Sequence, residues 1–207
     1  MPWTAGFQTT VIGPDEARLV AVRGLMIDST KLSDLNATLA LSPFSSFPTV
    51  TSANFLIGDP DTFAESKPVI VCVYGGGKGA GLDRESMFKE IGMPNVSTIK
   101  NTFHTNIRVY IHPNYAFPAA DSTATSVEQQ AEYRERLLSR VVEWICSDIF
   151  ATVAGVDTTL TSQQMTQTGD NFTMTYVSQV QKGVFEKGIE GKFRCLGAQL
   201  TLTSTLQ

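Results

Sequence analysis

The stretch 126–150 does most to limit what this chain can fold into. Ser126 precedes Val127-Glu128-Gln129, a hydroxyl with a Gln three residues on, which is the capping-box pattern of a helix start. Ala131, Leu137, Leu138, Val141, Val142, Ile145 and Ile149 then recur at helical spacing and make one apolar stripe. Glu128, Glu132, Glu135, Arg136, Arg140 and Glu143 take the other face, with Glu132 and Arg136 four apart in the favourable order. A long one-sided helix needs a flat apolar partner. Alternating segments flank it: Phe103 to His112, stopped by Pro113, on one side, and Phe172 to Val180 and Phe193 to Leu202 on the other. The expected fold class is α/β (α+β): a mainly antiparallel sheet from about 69–74, 103–112, 172–180 and 193–203. The long amphipathic helix packs on one face, over Leu138, Val142, Ile145 and Ile149, and an N-terminal helix precedes the sheet.

The remainder fills in around this unit. Residues 1–13 read as an extended arm anchored by Trp3 and Phe7. Pro14-Asp15-Glu16 opens a helix carrying Ala17, Val20, Ala21, Leu25 and Met26, weakened by Gly24. A second short helix fits 34–41, ended by Ser42-Pro43; 44–57 reads as extended or looped, and Gly58-Asp59-Pro60-Asp61 as a turn. Val69-Ile70-Val71-Cys72-Val73-Tyr74 is a continuous apolar run, the mark of a central strand covered on both faces. Residues 83–91 fit one or two helical turns. Long loops are expected at 75–82, 113–125, 151–170 and 182–192. No break in composition divides the 207 residues, so one domain over 1–207 is expected.

Composition narrows the function classes. Apolar residues make up 42%, enough for a core, while charged residues are 17% against roughly 25% in ordinary globular chains. Low charge with many Ser and Thr suits surfaces buried against neighbours. A net charge of −4 leaves no basic footprint for nucleic acid. Cys72, Cys146 and Cys195 are an odd count without metal-site spacing, and read as small buried apolar residues. The first residues lack a basic-then-apolar leader pattern, and no apolar run reaches membrane-helix length, so neither a signal peptide nor a membrane contact is expected.

Candidate chemistry is sparse. Gly75-Gly76-Gly77-Lys78-Gly79-Ala80-Gly81 follows a strand, as phosphate-binding turns do. The Walker pattern needs Ser or Thr after its Gly-Lys; here Gly79 follows Lys78, so the hydroxyl that would hold magnesium is missing. A loop that orders against a neighbouring subunit is the preferred reading. His104 and His112 fall on one strand roughly 26 Å apart, too far to share a metal or a proton. Asp59, Asp61, Glu65 and Asp83 sit in turn-like contexts, where Asp commonly bonds its own backbone. No nucleophile elbow, His-Glu-x-x-His or catalytic-cysteine context occurs. The expectation is no catalytic centre, no metal and no cofactor.

The order of elements carries a resemblance. It runs from an N-terminal helix to a core strand ending in a loop, then the strand Asn106-Ile107-Arg108-Val109-Tyr110-Ile111. A long helix with Arg136-Leu137-Leu138-Ser139-Arg140-Val141-Val142 follows, then a closing β-hairpin. This order resembles tail terminator (tail completion) proteins of tailed bacteriophages, over about 14–28 and 67–206. The resemblance implies a virion structural protein, not an enzyme. It implies a homo-oligomeric ring, a hexamer, at the neck, with the tail tube protein and head–tail connector proteins as partners. On it, Gly76, Gly77, Lys78 and Gly79, with Lys182, Phe185 and Lys187, are the expected inter-subunit or tube contacts, carried on mobile loop tips. Segments 29–66, 75–82 and 151–170 then read as additions to the family plan. A head–tail connector or tail tube protein is the rival assembly reading. A nucleotide-binding cytosolic enzyme using the glycine loop is the rival of another class.

Overall fold

A computed structural model describes residues 14–40, 48–75, 81–83, 101–117, 126–150, 158–160, 172–187 and 193–206. The elements run α1 Pro14–Met26, α2 Ser29–Ala40, β1 Phe55–Ile57, β2 Val69–Tyr74, β3 Gly81–Asp83, β4 Asn101–Ile111, α3 Val127–Trp144, β5 Thr158–Leu160, β6 Phe172–Lys187 and β7 Phe193–Leu206. The last turn of the long helix, Ile145–Ile149, widens to π geometry. Among the described residues the strands form one sheet in the order β1-β2-β4-β7-β6-β5, with β3 beside the far half of β4. Every pairing is antiparallel except β1 with β2. The expected α+β architecture is therefore the one observed.

The cap of α3 forms as its sequence dictates. Gln129 N donates to Ser126 Oγ (3.2 Å), and Ser126 N donates to Gln129 Oε1 (3.0 Å). Glu132 pairs with Arg136 at 2.7 Å on the exposed face. Leu137, Leu138, Val141, Val142, Ile145 and Ile149 are buried, and Tyr133 and Trp144 join them. Ala131 is a correction: it is exposed, and the buried positions of the helix begin at Tyr133. The three described helices lie on one face, over Val69, Val71, Val73, Ile107, Val109, Ile111, Ala198, Leu200 and Leu202. Val69 to Val73 are buried on both faces, as their unbroken apolar run requires.

Other expectations are corrected. The second helix starts at Ser29, not 34, capped by Asp28 Oδ1, which accepts from Thr30 N (3.0 Å) and Lys31 N (3.2 Å). Segment 29–66, read as an addition to the family plan, contributes to the core. Leu35, Leu39, Val50 and Phe55 are core residues. Asn36 clasps the backbone of Val50 in both directions at 2.8 Å. Residues 55–57 form β1; 81–82 and 158–160, read as loop, and Asp83, read as the start of a helical turn, lie in strands, while 84–91 lie outside the described residues. Residues 182–187, read as loop, belong to β6, which pairs with β7 residue by residue from Val180↔Leu200 to Lys187↔Phe193; 188–192 lie outside the described residues. Gly183, read as a turn residue, lies opposite Gly197 inside that ladder.

A parallel pair needs a crossover of about a dozen residues. Between β1 and β2 that crossover is 58–68, and it passes over the sheet face opposite the helices. Gly58 starts it with φ 97°, a conformation open to glycine, while its N–H still bonds Val73 O at 2.8 Å. Phe63 anchors it against His112 and Phe193, with ring centroids 5.0 and 5.4 Å away. Asp59 anchors its other end.

Candidate functional site

The face that carries this crossover has its own side-chain order. From β4 it takes Asn106, Arg108 and Tyr110; from β7, Cys195, Gly197, Gln199 and Thr201; from β6, Phe185 and Lys187. Ile70, Cys72, Tyr110 and Cys195 are its buried apolar floor, with Leu56, Phe63, Phe185 and Phe193 packed around them. Gly197 lets two aromatics meet. A Cβ there would lie 2.7 Å from Val109 O and 2.9 Å from Phe185 Cδ2; without it, Phe185 reaches across β7 to Tyr110 at 5.6 Å, edge to face.

Asp59 is the electrostatic centre. Its Oδ2 accepts from Arg108 Nη1 at 2.7 Å and from Tyr110 OH at 3.2 Å, and its Oδ1 accepts from Lys187 Nζ. Lys187 keeps only 7% of its side chain exposed and lies 4.0 Å from the Tyr110 ring centroid. Arg108 Nε donates to Gln199 Oε1 at 2.9 Å, and the guanidinium stacks over Tyr74 at 4.9 Å. Gln199 Nε2 and Thr201 Oγ1 extend the network to Asn106 Oδ1, at 3.4 and 3.1 Å. A cleft of about 230 Å³ opens beside this centre, lined by Asp59, Asp61, Arg108, Tyr110, Phe185, Glu186 and Lys187.

The protonation states follow from burial. Burial pushes the Cys72 thiol up to about 12, with the Asp59 charge adding to it, and the Cys195 thiol up to about 11. Burial raises the Tyr74 phenol to about 12 and the Tyr110 phenol further. Both thiols and both phenols thus keep their protons at neutral pH, and the thiols are poor nucleophiles. The Asp59 carboxylate already takes three donors. The cleft carries three carboxylates against two cations, so it holds no excess positive charge for a phosphate. What this arrangement does chemically is pin the 58–61 turn to β4 and β6.

The histidines are structural. Burial lowers the pKa of His112, its Nδ1 accepts from Asn114 N at 3.1 Å, and Phe63 and Phe193 enclose the ring. His104 Nδ1 lies 3.2 Å from Thr203 Oγ1. Among the described residues no group of three or more His, Cys, Asp or Glu is placed to hold a metal ion. No described helix is long and apolar enough to cross a membrane.

The residues expected to make partner contacts separate. Gly76, Gly77, Lys78 and Gly79 lie outside the described residues. Phe185 and Lys187 are corrected from mobile loop tips to strand positions turned inward onto the protein's own cluster. Lys182 is also on β6, but it is exposed on the helix side, where its Nζ donates to Ser139 Oγ at 2.9 Å. Asp59 and Arg108 were missed as a pair because they lie 49 residues apart, and Lys187 is 128 residues from Asp59. One signal was legible: Arg108 alternates with Ile107 and Val109, so a cation stands on the second face of a strand central enough to be covered there too. No protein-family model matches the chain, and no curated protein does.

Proposed function

We propose that this chain is a structural subunit of a tailed bacteriophage particle. It acts as a homo-oligomeric ring, a hexamer, at the head-proximal end of the tail, between the tail tube protein and the connector proteins of the neck. The position in the particle and the ring order rest on the resemblance in element order. The observation that carries an assembly role is the outer edge of β6, which from Tyr176 to Lys187 pairs with no other described strand. A strand edge of this length is a template for another chain. In the cleft, by contrast, Arg108 and Lys187 both pair with Asp59, and the reading assigns the protein no catalytic step and no cofactor. The glycine-rich segment 76–79 keeps its proposed role as a contact with the tube or a neighbouring subunit.

Purified particles test the reading. The protein is expected in them at a fixed stoichiometry, and images of particle necks are expected to show its ring. Particles that lack the protein, yet have normal joined heads and tails, would sink the assignment.

A further inference from the structure

The two margins of the sheet are treated differently. At one, β1 is three residues long, and Arg23 Nε donates to its Phe55 O at 2.9 Å, closing the edge from within the chain. At the other, β5 reaches β6 only as far as Thr175. Beyond it, residues 178–182, Val184 and Glu186 are exposed; Val180 is 42% exposed and Val184 59%. A register shift between Val177 and Gln179 marks where the regular edge begins, so it spans 179–187. Alternate residues of such an edge turn N–H and C=O outward with no described strand to receive them.

We propose that this edge pairs antiparallel with the same edge of a second copy, about a two-fold axis at Val184. The register argues for the occupant. Residues directly opposed in an antiparallel pair share a face, so even positions of β6 meet even positions of its copy. Centred on Val184, the pairing sets Val184 against the partner's Val184 and Lys182 against the partner's Glu186. On the other face it sets Gly183 against the partner's Phe185. Each Glu186 then lies between its own Arg194, 3.3 Å away, and the partner's Lys182. Centring on Lys182 opposes two ammonium groups. Centring on Gly183 sets Lys182 against the partner's Val184 and Glu186 against the partner's Val180. Centring on Gln181 or Phe185 likewise leaves no opposite-charge pair. Among these registers only the one centred on Val184 sets opposite charges against each other, while Lys187 stays with Asp59 of its own chain, and like charges set directly opposite are unfavourable.

This contact goes beyond the ring reading and stands without it. A two-fold joint consumes both edges and closes on a dimer, whereas a ring with a tube on one face and a connector on the other needs head-to-tail contacts. The β6 joint therefore belongs to the free protein, where it covers an edge that would otherwise recruit strands without limit.

The test uses the full chain in size-exclusion chromatography with light scattering, over a range of concentrations. The wild type is expected to be a dimer. Lys182→Glu and Glu186→Lys each turn both cross-strand pairs into like charges and are expected to weaken the dimer about tenfold or more. Both sites are exposed, and circular dichroism checks that each variant is folded. Mixing the two single variants restores both pairs in a heterodimer, which is expected to form where neither variant pairs with itself. A monomeric wild type, an oligomer indifferent to either reversal, or a mixture no tighter than its components would overturn the proposal. Particles without the protein would remove the phage reading and leave this contact untouched.

Discussion

The Lys187 ammonium rests between the Asp59 carboxylate and the Tyr110 ring, with 7% of its side chain in contact with solvent. A cation so far from water needs its counter-charge, and removing one partner of a buried pair leaves the other uncompensated. Asp59→Asn is therefore expected to destabilise the protein by on the order of 3 kcal/mol, read as a lower urea midpoint. Lys187→Met is expected to cost much less, since Asp59 keeps Arg108 and Tyr110. Combined, the two are expected to cost less than their sum, because Met removes the charge that Asn strands. Gly197→Ala tests close packing at the same site. Its Cβ meets a backbone oxygen at 2.7 Å, which cannot swing aside, so a cost of about 1–3 kcal/mol is expected. Neither residue announces this in sequence. Asp59 sits in a Gly-Asp-Pro-Asp turn whose local chemistry accounts for it fully, and its partners come from strands far along the chain.

Elements were legible where a local rule and a long-range pattern agreed. The helix α3 had both, in the Ser126–Gln129 box and a stripe of apolar side chains, and the strand β4 had alternation and a proline stop. Leu138 lies fully buried under α3, and Leu138→Ala is expected to cost about 2–5 kcal/mol by thermal or chemical unfolding. A truncation at Ala131, to Gly, removes nothing from the core and tests helix propensity alone, at about 1 kcal/mol. The three-residue strands β1, β3 and β5 carry too few side chains for a period of two to register. The hairpin itself forms, and only its tip is displaced. Gly183 reads locally as a turn, yet it lies inside the ladder opposite Gly197, where a Cβ would meet nothing within 4 Å, so pairing with β7 overrode local propensity.

At the scale of the molecule, strand order sets which backbone bonds are hardest to open. Strand β7 lies between β4 and β6 from Leu196 to Leu206, and β4 is flanked by β7 on one side and by β2 and β3 on the other. Opening either requires disrupting the sheet from within, so their amides are expected to exchange with solvent most slowly. Along 179–187 of β6 only the amides that face β7 are held in a monomer, so fast and slow exchange are expected to alternate residue by residue. The two-fold joint adds a partner to the outward set alone. At concentrations that populate the dimer, those alternate amides are expected to slow, while the inward set and the amides of β4 and β7 change little. In Lys182→Glu the alternation is expected to persist at every concentration tested. Outward amides already slow in dilute wild-type protein would mean that the chain covers its own edge, and the sheet would then have no open margin through which to assemble.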